Sequence, residues 1–482
     1  MASASQVKDP NRTEVVSAFI WKEFMEGVEE TYTMIKPDGV QRGPIEIVSS
    51  ELIKPSSPTP SESRDFKLSV IDERIPPSYI PLVLYYSCEE SANMKQPEIL
   101  DCLKKSLSDA LVQFYPLAGR MGGQISVNCN DEGALYLEAK VDSKISDVIE
   151  FPEVELLEKL IPYQYNGSLT NAEELIAIQV SLFSCGGISI GICISHRIAD
   201  GWTLCSFIKG WSSMACTKCE IVRPVFNSSS LFPPRNTPDF KPNIKSLAIQ
   251  PPVIHLVTKR FVFSESVINA LKSQVINNSS IINPTRVEVV SAFLWKACIV
   301  ARRIEKSGKS VAFHPVNLRG RVPALTDDSF GNIFQMTSAV NSEETDWIHL
   351  VEKLRAAFRK ISSDFINELL GENGYELVKN NFMQISKLLG QGDCEIFRFN
   401  SYCRFPLYET DFGWGTPNWV SASFSNRNSI FMLDSKSSSG IEAWIVMTED
   451  DMKKLEQEIS ISSKLLANSS RSVDEIYDIR SV

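Results

Sequence analysis

No stretch of the chain reaches eighteen uninterrupted apolar residues, and no Lys/Arg cluster breaks a net charge of −10 over 482 residues. The first absence excludes a helical membrane span, and the second leaves no footprint for nucleic acid or an anionic membrane. The first residues lack a basic region followed by an apolar core, so no secretory signal is read and the expected location is cytoplasmic. Histidine is scarce, with only His196, His255, His314 and His349. Cysteine is not scarce, but its eleven copies are odd in number and scattered, which fits reduced thiols rather than a disulfide framework. Cys216 and Cys219 form a lone C-x-x-C with no second ligand pair and no thioredoxin-like βαβ context. They are read as packed cysteines, and no metal site is expected.

What is present is an ordinary globular composition, 43% hydrophobic and 22% charged, which excludes wholesale disorder. The length accommodates two large domains. IEIVSSELIKPS (45–56) alternates apolar and polar residues and predicts a strand running into the proline-punctuated PSSPTP. LSVID (68–72) and LVLYYS (82–87) read as further strands. Residues 97–115 carry apolar side chains at Ile99, Leu103, Leu107 and Leu111, the spacing of an amphipathic helix. Residues 177–195, rich in Val and Ile, predict two buried strands with a tight turn at Gly186–Gly187. The stretch 216–252, dense in Pro, Ser and Asn, divides 45–215 from 253–482 as a crossover linker. Beyond it, helices are expected around 264–275, 285–304 and 346–363, and late strands at SIFMLD and GIEAWIVM. Strands and helices mix without a strict βαβ repeat, so the fold class is α/β with mixed sheets in two sandwich domains.

The first 44 residues stand apart. Pro10–Lys22 repeats Pro284–Lys296 at ten of thirteen positions, a single displaced copy rather than a periodic array. Thr31–Gly43 (TYTMIKPDGVQRG) resembles the first strand and loop of nucleoside diphosphate kinase. That enzyme needs a nucleophilic histidine in N-x-x-H-G-S-D, which no histidine of this chain satisfies, so no kinase activity is expected. Residues 1–44 are read as a poorly ordered extension.

Chemistry concentrates at Ser195–Trp202 (SHRIADGW). A buried apolar strand ends in His196, which by spacing alone is either a satisfied structural histidine or a general base placed to act near neutral pH. Asp200 either orients the imidazole or holds the turn through a salt bridge beside Gly201. Gly187–Gly191 (GISIG) fits the G-x-S-x-G nucleophile elbow, but no helix opens after Ser189 and the strand continues, so a serine hydrolase is not favoured. Asp411, Phe412, Gly413, Trp414 and Gly415 (DFGWG) predict a tight structural loop.

H-x-x-x-D-G at His196–Gly201 and D-F-G-W-G at Asp411–Gly415, in this order and separation, resemble the BAHD family of plant acyl-CoA-dependent acyltransferases. The resemblance spans roughly 45–466 and includes QFYPLAGR, FSCGG, FIKGW, NLRGR and SFGN, in a style close to the vinorine synthase-like, alkaloid-acetylating branch. It implies two chloramphenicol-acetyltransferase-like domains joined by a long crossover loop around a through-channel. It further implies a monomer with no permanently bound cofactor, which uses acyl-CoA, most simply acetyl-CoA, as co-substrate and a small-molecule alcohol as acceptor. His196 would be the general base, and Asp200 a structural residue pointing toward an arginine, for which Arg319 is the candidate. D-F-G-W-G would be architectural. Relatives often carry Thr-Ser-Trp before that loop, where this chain has Asn400-Ser401-Tyr402, so Asn400 is a candidate oxyanion contact. The alternatives are N-acylation of an amine and a non-catalytic relic of the family.

Overall fold

The computed structural model describes residues 45–469 apart from residue 76 and residues 88–94, 164–172, 217–220, 235–255, 303–307, 344–345, 390–393, 423–426 and 437–438. The extension 1–44, the Cys219 half of the C-x-x-C and most of the crossover expected at 216–252 therefore lie outside the described residues.

Two six-stranded sheets organise the rest. In the first, the spatial order is Ile45–Ile53, Ala134–Val141, Ile176–Phe183, Ile188–Ser195, Tyr79–Tyr86 and Trp419–Ser421. Ala134–Val141 runs parallel to Ile176–Phe183, and the remaining pairs are antiparallel, so the sheet is mixed. The strands Ile176–Phe183 and Ile188–Ser195 form the expected hairpin, closed where Phe183 N–H donates to the Gly187 carbonyl and Gly186 takes φ +91°. Trp211 ties the helix Gly201–Ala215 to the helix Gln96–Gln113 by donating Nε1–H to the Leu103 carbonyl (3.2 Å) and Ser106 Oγ (3.1 Å).

The second sheet orders Phe334–Asn341, Lys309–Asn317, Cys394–Ser401, Ser429–Asp434, Ile441–Thr448 and Leu256–Phe263. Period-two alternation divides its side chains. Ile430 and Met432 point into a core shared with the helices Glu265–Asn278, Arg286–Ala301 and Trp347–Arg359, whereas Phe431 and Leu433 join the core of the first body. The helix Arg286–Ala301 is apolar nearly all round because it is buried nearly all round. Its start is fixed by a Thr285–Glu288 capping box, with Glu288 also clamped by Arg355 at 2.7 and 2.8 Å.

Two readings of the sequence need revision. LSVID does not form a strand; Val70–Glu73 is a short helix. Ser69 Oγ accepts from Asp72 N–H, and the Asp72 carboxylate accepts from Ser69 N–H at 2.8 Å, so a local S-x-x-D capping box overrides the apolar alternation. The halves 45–215 and 253–482 also do not divide cleanly, because Trp419–Ser421 from the second half is the edge strand of the first sheet. Asn418 N–H donates to the Tyr85 carbonyl, and the Tyr85 and Ser421 hydroxyls meet at 2.9 Å. Trp419 Nε1–H donates to the buried Glu442 carboxylate on the second sheet (3.0 Å), and the Arg260 guanidinium lies 5.2 Å from the Trp419 ring centroid.

Candidate active site

His196 follows directly on the central strand Ile188–Ser195, whose residues are all buried. Its N–H donates to the Ser78 carbonyl (2.8 Å), and its own carbonyl accepts from Asn332 Nδ2 (2.8 Å), so the backbone is held from both sides. The chain turns sharply, with Ile198 N–H donating to the Ser195 carbonyl, and this brings the Ala199 carbonyl to 2.9 Å from His196 Nδ1. A carbonyl only accepts, so this partner assigns the proton to Nδ1 and leaves the lone pair on Nε2. Burial lowers the imidazole pKa. The Ala199 carbonyl and the Asp200 charge oppose that effect without cancelling it, and the ring is neutral at pH 7. Phe334 sits beside the ring, with centroids 6.2 Å apart.

Asp200 does not hydrogen-bond the imidazole among the described residues. It caps the helix Gly201–Ala215, accepting Thr203 N–H at 2.8 Å through Oδ1, and meets Arg319 head-on. Arg319 NH1 donates to Oδ2 at 2.8 Å and NH2 to Oδ1 at 3.2 Å. The Arg319 side chain is fully buried and its remaining donors are also used, by the carbonyls of Ser329 and Gly331, the Thr203 hydroxyl and Asn317 Oδ1. Ile333 N–H donates the fourth hydrogen bond to Asp200 (2.9 Å). Burial alone would raise the Asp200 pKa, but the Arg319 charge and these hydrogen bonds outweigh it and hold the carboxyl below its usual range. The pair joins the two bodies directly behind His196.

The other residues singled out in the sequence take distinct places. Asn400 lies on the strand Cys394–Ser401 in register with Phe431, on the side of the sheet facing the first body. Two residues on, Tyr402 packs against Gly201 so closely that a Cβ there would stand 2.5 Å from the Tyr402 ring. Tyr402 also stacks on Phe405 (4.7 Å, 14°). Glycine at 201 is therefore what lets the Asn400–Tyr402 segment approach the histidine turn. Asp411 is committed to its own loop: Oδ1 accepts from Gly413 N–H (2.7 Å) and Gly415 N–H (2.9 Å), and both glycines take positive φ, +105° and +121°. Phe412 and Trp414 stack 5.5 Å apart and pack against Tyr86, anchoring the loop in the first core. Ser189 lies mid-strand, fully buried, with no hydrogen-bond partner for its Oγ, and cannot present a nucleophile. Among the described residues, no cluster of three His, Cys, Asp or Glu could hold a metal ion, and no helix is long and apolar enough to cross a membrane.

Sequence reasoning did not single out Thr203, which contacts Arg319, Asn332, which contacts the His196 carbonyl, or Asp72, which anchors Asn332. Asn332 lay within the quoted SFGN, but its role is set by a contact 136 residues away in the chain.

His196 thus sits where two α/β bodies meet, with the buried Asp200–Arg319 pair linking them beside it. The family model described as Transferase family matches residues 43–461, and the chain belongs to this family, the BAHD acyltransferases. It is 36% identical to stemmadenine O-acetyltransferase of Catharanthus roseus, covering 85% of this chain and 96% of that protein. It is 37% identical to a limonoid 1-O-acetyltransferase of Citrus sinensis (86% and 96%), and 36% identical to vinorine synthase of Rauvolfia serpentina (86% and 97%). The crystal structure of vinorine synthase superposes with a TM-score of 0.73 at 33% identity, covering 85% of this chain and 96% of that one. A more distant likeness is to TRI101 of F. sporotrichioides, solved with coenzyme A and T-2 (TM-score 0.63, 16% identity, 82% and 97% coverage), and it supports the two-body fold. The protein is an acyl-CoA-dependent O-acyltransferase.

Proposed function

We propose that this enzyme transfers an acetyl group from acetyl-CoA to a hydroxyl of a polycyclic plant metabolite, with His196 as general base. The names of its relatives, which acetylate stemmadenine and limonoids, support the acetyl donor and the bulky alcohol. The observation that carries the reading is the Nδ1–Ala199 contact, which leaves Nε2 unprotonated beside the seam between the bodies.

An alcohol is a poor nucleophile at pH 7, so its proton must leave as its oxygen attacks the thioester carbon. Nε2 takes that proton while the C–O bond forms and the carbonyl electrons move onto oxygen, giving a tetrahedral oxyanion. Collapse breaks the C–S bond, and the imidazolium returns its proton to the departing thiolate, so the enzyme ends as it began. Asn400 Nδ2 is the donor we assign to the oxyanion. Asp200 serves as scaffold through Arg319. His196 comes from one body, and Arg319 and Asn332 from the other body of the same chain, which supports action as a monomer. Free thiols at nine described cysteines support a reducing, cytosolic setting. The test is thiol release with acetyl-CoA and an alcohol panel. His196→Ala is expected to lose about 10²–10⁴-fold in kcat while keeping its fold. Wild-type turnover in that variant would remove the base assignment.

A further inference from the structure

Behind His196 lies a second buried network, separate from the Asp200–Arg319 pair. Asn332 is fully buried, and both hydrogens of its amide are spent on groups that only accept: Asp72 Oδ1 at 2.8 Å and the His196 carbonyl at 2.8 Å. That fixes the amide orientation without ambiguity. Asp72, 1% exposed, is itself held by four donors: Ser69 N–H, Ser69 O–H, Asn332 N–H and Asn332 Nδ2. One oxygen is left over. Asn332 Oδ1 is buried and has no hydrogen-bond partner, a costly arrangement in an otherwise saturated network.

We propose that Asn332, anchored by Asp72, is a positioning residue for His196: its amide N–H fixes the histidine backbone, and its spare oxygen supports the imidazolium formed during transfer. The Asn332 side chain is among the groups that favour the cationic imidazole, together with the Ala199 carbonyl and Asp200. A neutral amide oxygen suits this task. It supports a transient cation without holding the base protonated at rest, as a second carboxylate at that place would. The other charged groups around the turn are occupied. Asp200 is paired with Arg319, and Asp72 is saturated. The Arg197 guanidinium donates to the carbonyls of Glu73, Ile75 and Gln124.

This inference rests on His196 being the base, and the experiment separates the two. The pH dependence of kcat/KM is measured for the wild type, Asn332→Ala, Asp72→Asn and His196→Ala, together with an NMR titration of the imidazoles, simple in a chain with four histidines. Asn332→Ala is expected to lower kcat on the order of 10–100-fold, the range seen when a hydrogen-bond partner that orients a metal-bound histidine is removed. The KM for acyl-CoA should be unchanged, and the acidic limb and the His196 titration should move to lower pH by about 0.5–1 unit. Asp72→Asn preserves shape but loosens the anchor, and should move both in the same direction by less. If His196→Ala is inactive but neither Asn332→Ala nor Asp72→Asn shifts the limb or the titration, the inference falls and the base assignment stands. If His196→Ala stays active, the base assignment itself falls, and the inference with it. Failure of both network variants to fold would mark the pair as a structural strut and overturn the proposal.

Discussion

Replacing Asp200 with asparagine removes one charge and almost no volume, so its effect isolates the pairing with Arg319. Each carboxylate oxygen accepts two hydrogen bonds: Oδ1 from Thr203 N–H and Arg319 NH2, Oδ2 from Arg319 NH1 and Ile333 N–H. An asparagine must put its NH2 in place of one oxygen, and in either orientation that group faces two donors. The Arg319 cation, with a fully buried side chain, loses its counter-charge at the same time. Removing one partner of a buried ion pair costs about 3–5 kcal/mol. At roughly 2–4 °C per kcal/mol for a large domain, the thermal midpoint should fall by about 6–20 °C. Asp200 also caps the helix Gly201–Ala215 next to the histidine turn, so a disturbed pairing should reach the turn and turnover should drop in parallel. Calorimetry at one scan rate, paired with thiol release well below the transition, tests both effects. An inactive Asp200→Asn that melts with the wild type would refute the scaffold role and place the carboxylate in the chemistry. The same pairing sets a pH sign. Because the folded carboxyl titrates below its ordinary 3.8, its contribution is complete above that value and is lost as pH falls through the lower, folded one.

Two further outcomes follow from side chains at a distance. His314 is buried, stacked on Phe399 at 4.7 Å, with no partner for Nε2, and burial pushes its pKa down to about 3. Folded protein thus binds fewer protons than unfolded protein between about pH 6.5 and 3. The His314 contribution is full above 6.5 and falls on acidification by about 1.4 kcal/mol per pH unit. His314→Phe should flatten the acid side of the melting-temperature profile, and equal slopes in the two proteins would show that the ring is not held neutral. At the glycine loop, Asp411→Asn keeps the Oδ1 that accepts both glycine N–H groups and should retain turnover. Asp411→Ala should lose about 1–3 kcal/mol of stability in denaturant titration. Loss of turnover in Asp411→Asn without loss of stability would assign that carboxylate a proton-transfer role.

The buried hairpin around residue 186, the long helices and the late strands were legible because their apolar patterns persist over six or more residues. His196 and Asp200 were legible because an apolar strand ends in a histidine and an Asp-Gly turn closes four residues later. The motif alone left open whether Asp200 serves the imidazole or the turn, a choice that depends on an arginine 119 residues away. Asp72 was hidden inside LSVID, where two local hydrogen bonds defeat an alternating pattern. Trp419–Ser421 is too short to carry any period, and its place in the first sheet comes from cross-chain pairing with Tyr79–Tyr86. Asn332 was hardest to see, since an asparagine with one idle oxygen looks like any other until every neighbour has been placed.

That three-residue edge strand also limits how the halves can part. It is stitched into one sheet, while the strand that follows it, Ser429–Asp434, lies in the other, so a jaw-like swing would have to unpick backbone hydrogen bonds rather than rotate a hinge. On heating, the two halves should therefore come apart as one unit.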